Sequence, residues 1–276
     1  MARRRAQALR SMAWQRRTLT MLLALCASAA FSDGPDLSEF RIARVEYDSV
    51  GGWGQAYYSY EGRVWQRWET DFPQAEENFG KRLSQLTRVV AAGKPAQRRL
   101  TADDLGDYPM LFMSDVGYMD FTTEEVQGLR QYLDNGGFLW VDDFWGDAEW
   151  ASFERFMREV KPGLRWQVIN EDHAIFNTVF EIKTMPQIPA RTFARRFFGA
   201  RTAEPAGMHR SPAGSLETAT LRGYVDGAGR LMVIGTHNTD VADGWEREAY
   251  GQWYFERFST LSYRIGVNVI AYVLTH

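Results

Sequence analysis

The sequence predicts an α/β fold with a mostly parallel central sheet covered by helices on both faces. Three observations predict it. Short apolar runs at 108–113 (YPMLFM) and 138–141 (FLWV) have the length and composition of strands buried on both sides. Amphipathic helical periodicity follows each run, so strand and helix alternate with short connections. The 276 residues, 45% of them hydrophobic, contain no linker-like stretch separating two cores, which favours one large domain.

The elements follow in order. Residues 40–47 (FRIARVEY) alternate apolar and polar, as a half-buried strand does. A glycine- and aromatic-rich loop comes next, with Gly51-Gly52-Trp53-Gly54 and then Tyr57, Tyr58, Tyr60, Trp65 and Trp68. This aromatic cluster is either a satellite core over the sheet edge or a binding lip, and the helix-adjacent Trp65 and Trp68 favour core. Phe72, Ala75, Phe79, Leu83 and Leu86 recur at spacings of three and four, marking a helix capped by Thr70 or Asp71 with Pro73 in its first turn. Thr122-Thr123-Glu124-Glu125 is a capping box opening a helix that stops at Asn135-Gly136-Gly137. The 138–141 strand ends in Asp142-Asp143, and a helix from about 148 to 160 buries Trp150, Phe153, Phe156 and Met157. Residues 163–212 are less regular and are expected to be an insertion or peripheral subregion. Residues 221–225 and 231–236 flank Asp226-Gly227-Ala228-Gly229, a hairpin by its turn chemistry. Phe255, Phe258, Leu261, Ile265, Val269 and Tyr272 form the apolar face of a C-terminal helix.

The N-terminus has a different character. Residues 1–29 hold six of the 32 basic residues and no acid, which leaves 26 basic against 35 acidic side chains in the rest of the chain. Such an acidic body is a poor general binder of nucleic acid, and none is expected as a partner. A basic stretch to Arg17, an apolar run from Leu19 to Cys26 and the small residues Ala27-Ser28-Ala29 form the pattern of a secretory signal. Residues 1–30 are therefore expected to be a signal peptide cleaved after Ala29 or Ala30, and residues 31–276 a single periplasmic or secreted α/β domain. The apolar run is too short to span a bilayer, so no stable membrane span is expected after cleavage. Cys26 is the only cysteine and lies inside this segment. The mature chain then has no disulfide, no thiolate metal site and no cysteine nucleophile.

Four motifs carry a resemblance: WETDFPQAEENF (68–79), GGFLWVDDF (136–144), DHAIF (172–176) and HNTD (237–240). Together they resemble the bacterial domain-of-unknown-function family numbered 4159 over nearly the whole mature chain. One departure is Ala174, where the family usually has proline. The resemblance implies a three-layer, flavodoxin-like sandwich akin to the class I glutamine amidotransferase fold, without an established activity. It also implies envelope protein partners, AAA-type ATPases or von Willebrand factor A-domain proteins, by genomic company. The amidotransferase nucleophile is a cysteine that the mature chain lacks, so that glutaminase chemistry is excluded.

Ligands of open α/β sheets sit beyond the carboxyl ends of the strands. By that rule the expected ligand-binding set is Asp115, Asp142, Asp143, His237, Asn238 and Asp240, with Trp53 and Trp145 as walls. Three explanations compete for these residues. The acids cap turns and helices, or they form a hard-cation or polar-ligand site with His237, or a carboxylate pair performs hydrolysis. His237 is the expected titrating member, its pKa raised by a neighbouring carboxylate. His173 reads as a buried turn histidine, and His209 and His276 are not expected to be catalytic. Ser114 lacks the glycines of a nucleophile elbow, with Phe112 and Val116 in their places. Gly51-Gly52-Trp53-Gly54 does not match a phosphate cradle. No catalytic residue is assigned, no cofactor is expected, and metal binding stays open. The leading expectation is a non-catalytic ligand-binding or envelope-assembly module; the alternative is a metal- or carboxylate-dependent hydrolase.

Overall fold

The computed structural model describes residues 39–196, 202–212 and 214–276, residues 195 and 196 by backbone alone. The expected signal segment and its cleavage site lie outside the described residues. The central sheet has seven strands: β1 (Ile42–Glu46), β2 (Ala96–Arg99), β3 (Met110–Ser114), β4 (Phe138–Phe144), β5 (Trp166–Val168), β6 (Thr220–Val225) and β7 (Leu231–His237). Across the sheet they run in the order β2-β1-β3-β4-β7-β6-β5. The five from β2 to β7 in that order are mutually parallel, and β6 is antiparallel to both its neighbours.

Side-chain alternation explains why the sheet is covered on both faces. Met110, Phe112, Phe138 and Trp140 enter one core, whereas Leu111, Met113, Leu139 and Val141 enter the other. The first core is closed by α1 (Gln74–Leu86), α5 (Val241–Glu246) and α6 (Thr260–Thr275), through Phe79, Leu83, Trp245, Ile265 and Val269. The second is closed by α2 (Thr123–Asp134) and α3 (Gly146–Val160), through Leu129, Leu133, Phe153, Phe156 and Met157. The architecture is thus α/β with a mostly parallel sheet between helical layers. A short helix, α4 (Arg191–Arg196), lies in sequence between β5 and β6 and adds Ala194 to the first core. Among the described residues no helix is long and apolar enough to cross a membrane.

Several boundaries differ from expectation for local reasons. The capping box of α2 is present in full, with Glu125 N–H donating to Thr122 Oγ1 (3.2 Å) and Thr122 N–H to Glu125 Oε2 (2.9 Å). Neither Thr70 nor Asp71 caps α1 by its side chain; Pro73 holds the N-cap position, and Ala75 N–H donates to the Asp71 carbonyl instead. Strand β4 continues through both Asp142 and Asp143 rather than ending before them. Residues 163–212 are not peripheral: they supply the edge strand β5 and bury Ile175, Phe176 and Ile188 in the first core. Within the aromatic loop, Tyr57–Tyr60 and Arg63–Gln66 pair as a small hairpin. The C-terminal helix is entered through a turn at Gln252–Tyr254 and a π-helical segment at Phe255–Ser259.

Candidate functional site

The chain leaves β1 toward β2 on one side and proceeds from β3 to β4 on the other, so the strand order reverses between β1 and β3. A crevice outside the carboxyl ends at such a switch point is where open α/β sheets bind ligands. Here the backbone turns sharply. Asp115 after β3 has φ 56°, Asp143 near the end of β4 has φ 52°, Asn238 after β7 has φ 60°, and Asp71 before α1 has φ 65°. Asp and Asn tolerate this left-handed region better than other side chains that carry a Cβ, which accounts for the residue types at these turns. Each such position stores roughly 1 kcal/mol or more, and this kind of strain clusters at functional sites.

Asp71, Asp115, Asp142, Asp240 and Asp243 are buried at this edge, and Asp143 and Glu246 are partly so. Like charges in a dry site oppose one another's ionisation. Burial, then the charges of Asp115, Glu204 and Asp142, pushes the Asp143 carboxyl well above its ordinary range. Burial with Glu246, Asp243 and Asp143 does the same to Asp71, and burial with Asp143, Asp71 and Asp243 to Asp240. Glu246 is pushed up to about 7 by burial and by Asp243. Burial raises Asp115 to about 6 even though the Arg67 guanidinium beside it pulls the other way.

These acids differ in what holds them. Asp142 is saturated: one oxygen accepts from the Thr236 hydroxyl, the other from Ala242 N–H at 2.8 Å in the first turn of α5. Asp240 caps the same helix, accepting from Asp243 N–H at 2.7 Å. Asp115 Oδ2 accepts from Arg67 Nη1 (2.7 Å), and Arg67 also reaches the carbonyls of Gly54 (2.8 Å) and Gln55 (2.5 Å). Asp243 accepts from Arg191 N–H (2.9 Å), the Tyr254 hydroxyl (3.2 Å) and Arg247 Nε (3.2 Å). By contrast, Asp71 Oδ2 and Glu246 Oε2 are buried without a hydrogen bond. Arg247 Nε lies 2.5 Å from Glu246 Oε2, an ion contact whose direction does not suit a hydrogen bond. One oxygen from each of Asp71, Asp243 and Glu246 lies within 4.8 Å of the other two. None of these three stands in the ligand set expected from the sequence. Asp243 and Glu246 sit three residues apart on one helix directly after HNTD, a spacing that places both on one face and could have flagged them.

The placement of His237 is a correction. Successive strand residues face opposite sides, so Thr236 meets Trp140 and Asp142 while His237 enters the other core. Its ring packs on Phe144 and Trp150, with Nε2 3.0 Å from the Gly146 carbonyl and Nδ1 unpartnered. Burial and then the charge of Arg222 lower its pKa to about 4, so it is neutral at pH 7 rather than raised by a carboxylate. Among the described residues, the group of side chains close enough to share a cation does not include His237. The histidine among acids is His209, with Nδ1 3.0 Å from Glu149 Oε1 and Nε2 3.1 Å from Glu204 Oε2. Burial alone would lower its pKa, but the two carboxylates outweigh burial and push it up to about 10.

The remaining expected residues divide between the site and its frame. Trp145 is fully buried, stacks on His209 at 5.7 Å and donates its ring N–H to Asp143 Oδ1 at 3.0 Å. Asn238 is a clamp: it accepts from Gly146 N–H (2.7 Å) and donates to the carbonyls of Ser215 and Thr218 (both 2.9 Å). Gly146 has φ 71°, and a Cβ there would collide with Ser211, so glycine lets this loop lie on the start of α3. Trp53 is 69% exposed, whereas Trp68 is in the second core, so the aromatic cluster splits between surface and interior. A groove of about 690 Å³ lies elsewhere, lined by Leu100, Tyr108, Gly128 and Tyr132 among others. Its acids, Asp103 and Glu124, are exposed and do not converge, so the buried acids mark the candidate site instead.

An α/β domain with a helical layer on each face and a carboxylate-lined switch point is the class that fold and site define. The family model described as Domain of unknown function (DUF4159) matches residues 41–274, which include every strand of the sheet and every acid discussed above, and the chain belongs to that family. No curated protein matches it in sequence.

Proposed function

We propose that this protein is a non-catalytic binding module of the cell envelope whose ligand site is the acidic carboxyl edge of its sheet. One observation carries the reading: Asp71, Asp143 and Glu246 bury carboxyl groups beside other carboxyl groups, Asp71 Oδ2 has no hydrogen-bond partner, and Glu246 Oε2 has only its ion contact with Arg247. Folding alone gains nothing from such groups, because an unsatisfied buried polar atom costs roughly 1–3 kcal/mol and more when charged. A ligand that supplies positive charge or donors offsets that cost. Residues 39–276 contain no cysteine, which fits a binding role on a scaffold akin to the amidotransferase-like fold. The strand order β2-β1-β3-β4-β7 is compatible with a flavodoxin-like sheet. The signal-like residues 1–30 support export to the periplasm or exterior, where envelope proteins of the AAA-type ATPase or von Willebrand factor A-domain kind are the proposed partners.

Thermal unfolding of the full chain with metal ions, polyamines and amino sugars tests the reading. Stabilisation by a cationic ligand that is lost in Asp143→Asn supports it. No stabilisation by any of them contradicts it.

A second reading, a carboxylate-dependent hydrolase, is favoured by one contrast. Asp115 is anchored by Arg67 with its pKa near 6, while Asp143 is held well above its usual range, and acids set apart in this way can serve as base and acid. Turnover of a glycan or polymer substrate abolished by both Asp115→Asn and Asp143→Asn would establish it over the first.

A further inference from the structure

Among the buried acids, one group has the makings of a defined ion site. Asp71 reaches it from the turn before α1, and Asp243 and Glu246 from one face of α5, so two separate segments converge. The three ligand oxygens lie within 4.8 Å of one another. Oxygens on opposite sides of a Ca²⁺ ion are separated by roughly twice the 2.3–2.6 Å coordination length, so this spacing fits a shared ion.

Two further observations point to a ligand rather than to a satisfied network. Asp71 is only 8% exposed, and its Oδ2 makes no hydrogen bond. The cation in contact with the group, Arg247, approaches Asp243 Oδ1 at 3.2 Å and Glu246 Oε2 at 2.5 Å, and no contact joins it to Asp71. Crowding opposes the ionisation of Asp71 and Glu246, so a divalent cation would bind by displacing protons and would hold the three carboxyls ionised together. The donors are all oxygen, with no histidine or cysteine among the three, which selects a hard ion over zinc or copper.

We propose that Asp71, Asp243 and Glu246 bind a hard divalent cation, with Ca²⁺ as the best-fitting probe. The proposal rests on the reading of the acidic edge as a ligand site and names what that site takes. In it, Asp71 supplies the free oxygen, α5 supplies two carboxylates from adjacent turns, and water completes the coordination shell. The ion would tie the turn before α1 to α5, adding to the contacts α1 itself makes with α5 through Asn78, whose amide donates to the carbonyls of Trp245 (2.9 Å) and Glu246 (3.4 Å), and through Phe79, whose ring stacks on Trp245.

The test is calorimetric titration of the chelator-treated full chain with Ca²⁺, Mg²⁺ and Mn²⁺ in separate runs, alongside thermal unfolding in each ion. The expected result is saturable binding near one ion per chain, weakened by about tenfold or more in both Asp71→Asn and Glu246→Gln. Asparagine at position 71 keeps the left-handed turn, and Glu246→Gln alters a helix side chain only, so a loss in both is not a folding failure when their unfolding remains cooperative. Ca²⁺ binding that survives both substitutions places the ion elsewhere and overturns the proposal. No binding of any of the three ions, with stabilisation by spermidine or an amino sugar, also overturns it while the broader ligand-site reading stands. No stabilisation by metal ions or organic cations overturns both.

Discussion

Asp142 and Asp71 are aspartates buried at the same edge of one sheet, yet they are held in opposite ways. Asp142 hydrogen-bonds through both oxygens, to a hydroxyl on β7 and to a backbone N–H of α5, and so locks three elements together. Asp71 stands in a strained turn among Glu246, Asp243 and Asp143, with one oxygen buried and unpartnered. The first arrangement is what a fold requires of a buried acid. The second costs the fold and is the arrangement on which the proposed ligand site rests. The other acids fall between these extremes: Glu125 and Glu149 are held by Thr122 N–H and Trp145 N–H, Glu76 pairs with Arg44 through Oε1 but leaves Oε2 unpartnered, and Asp143 and Glu246 stand among like charges with one partner each, the Trp145 ring N–H and Arg247.

Substitutions can break or sharpen this contrast. The largest effect is expected at Glu76, whose Oε1 accepts from Arg44 Nε at 2.7 Å in a fully buried pair. Glu76→Ala leaves the guanidinium uncompensated and should cost about 3–5 kcal/mol in urea denaturation. A loss under about 1 kcal/mol would show that this acid is not part of the frame. Next is Asp142→Ala, which strands Ala242 N–H and leaves the Thr236 hydroxyl to the Val141 carbonyl and the Trp140 ring N–H, and should cost about 2 kcal/mol by the same measurement.

His209 comes third. Its folded pKa of about 10 lies above the ordinary 6.5, so its contribution is complete below pH 6.5 and is lost as pH rises toward 10. Wild type should lose about 2 kcal/mol more than His209→Gln between pH 6.5 and 10. Parallel stability profiles would mean that Glu149 and Glu204 do not hold a charged ring. The smallest change is expected for His237→Phe, which keeps the aromatic packing on Phe144 and Trp150 and gives up one bond to Gly146, a loss of about 1 kcal/mol.

The two histidines also show how far sequence reasoning reaches. Runs such as FLWV and the Thr122–Glu125 box act locally, so strands, helices and the acidic strand ends could be read residue by residue. Which face a strand-end side chain takes depends on register and bulges. Asp143 interrupts the pairing of β4 with β7, and His237 falls on the apolar side although it adjoins Asn238 and Asp240 in sequence. His209 had no such local signal, because its partners Glu149 and Glu204 lie on α3 and in the loop after α4. Asp71 was visible only as a candidate helix cap. Its role depends on α5 arriving from 172 residues further along the chain. Asp115, Asp143 and Asp240 do lie at the carboxyl ends of β3, β4 and β7, a placement that follows from strand direction alone.

The central claim is that the acids of the second kind are kept for a ligand at the expense of stability, and Asp143 tests it most directly. Asparagine suits the left-handed backbone at φ 52° and keeps the carbonyl oxygen that accepts from Trp145, so Asp143→Asn removes the charge and little else. Thermal unfolding at pH 8 with chelator present should show the variant melting about 2–4 °C above wild type, the shift expected when roughly 1 kcal/mol of repulsion is relieved. A variant that melts below wild type under those conditions would mean that Asp143 serves the fold, and the account of the acidic edge as a ligand site would be contradicted.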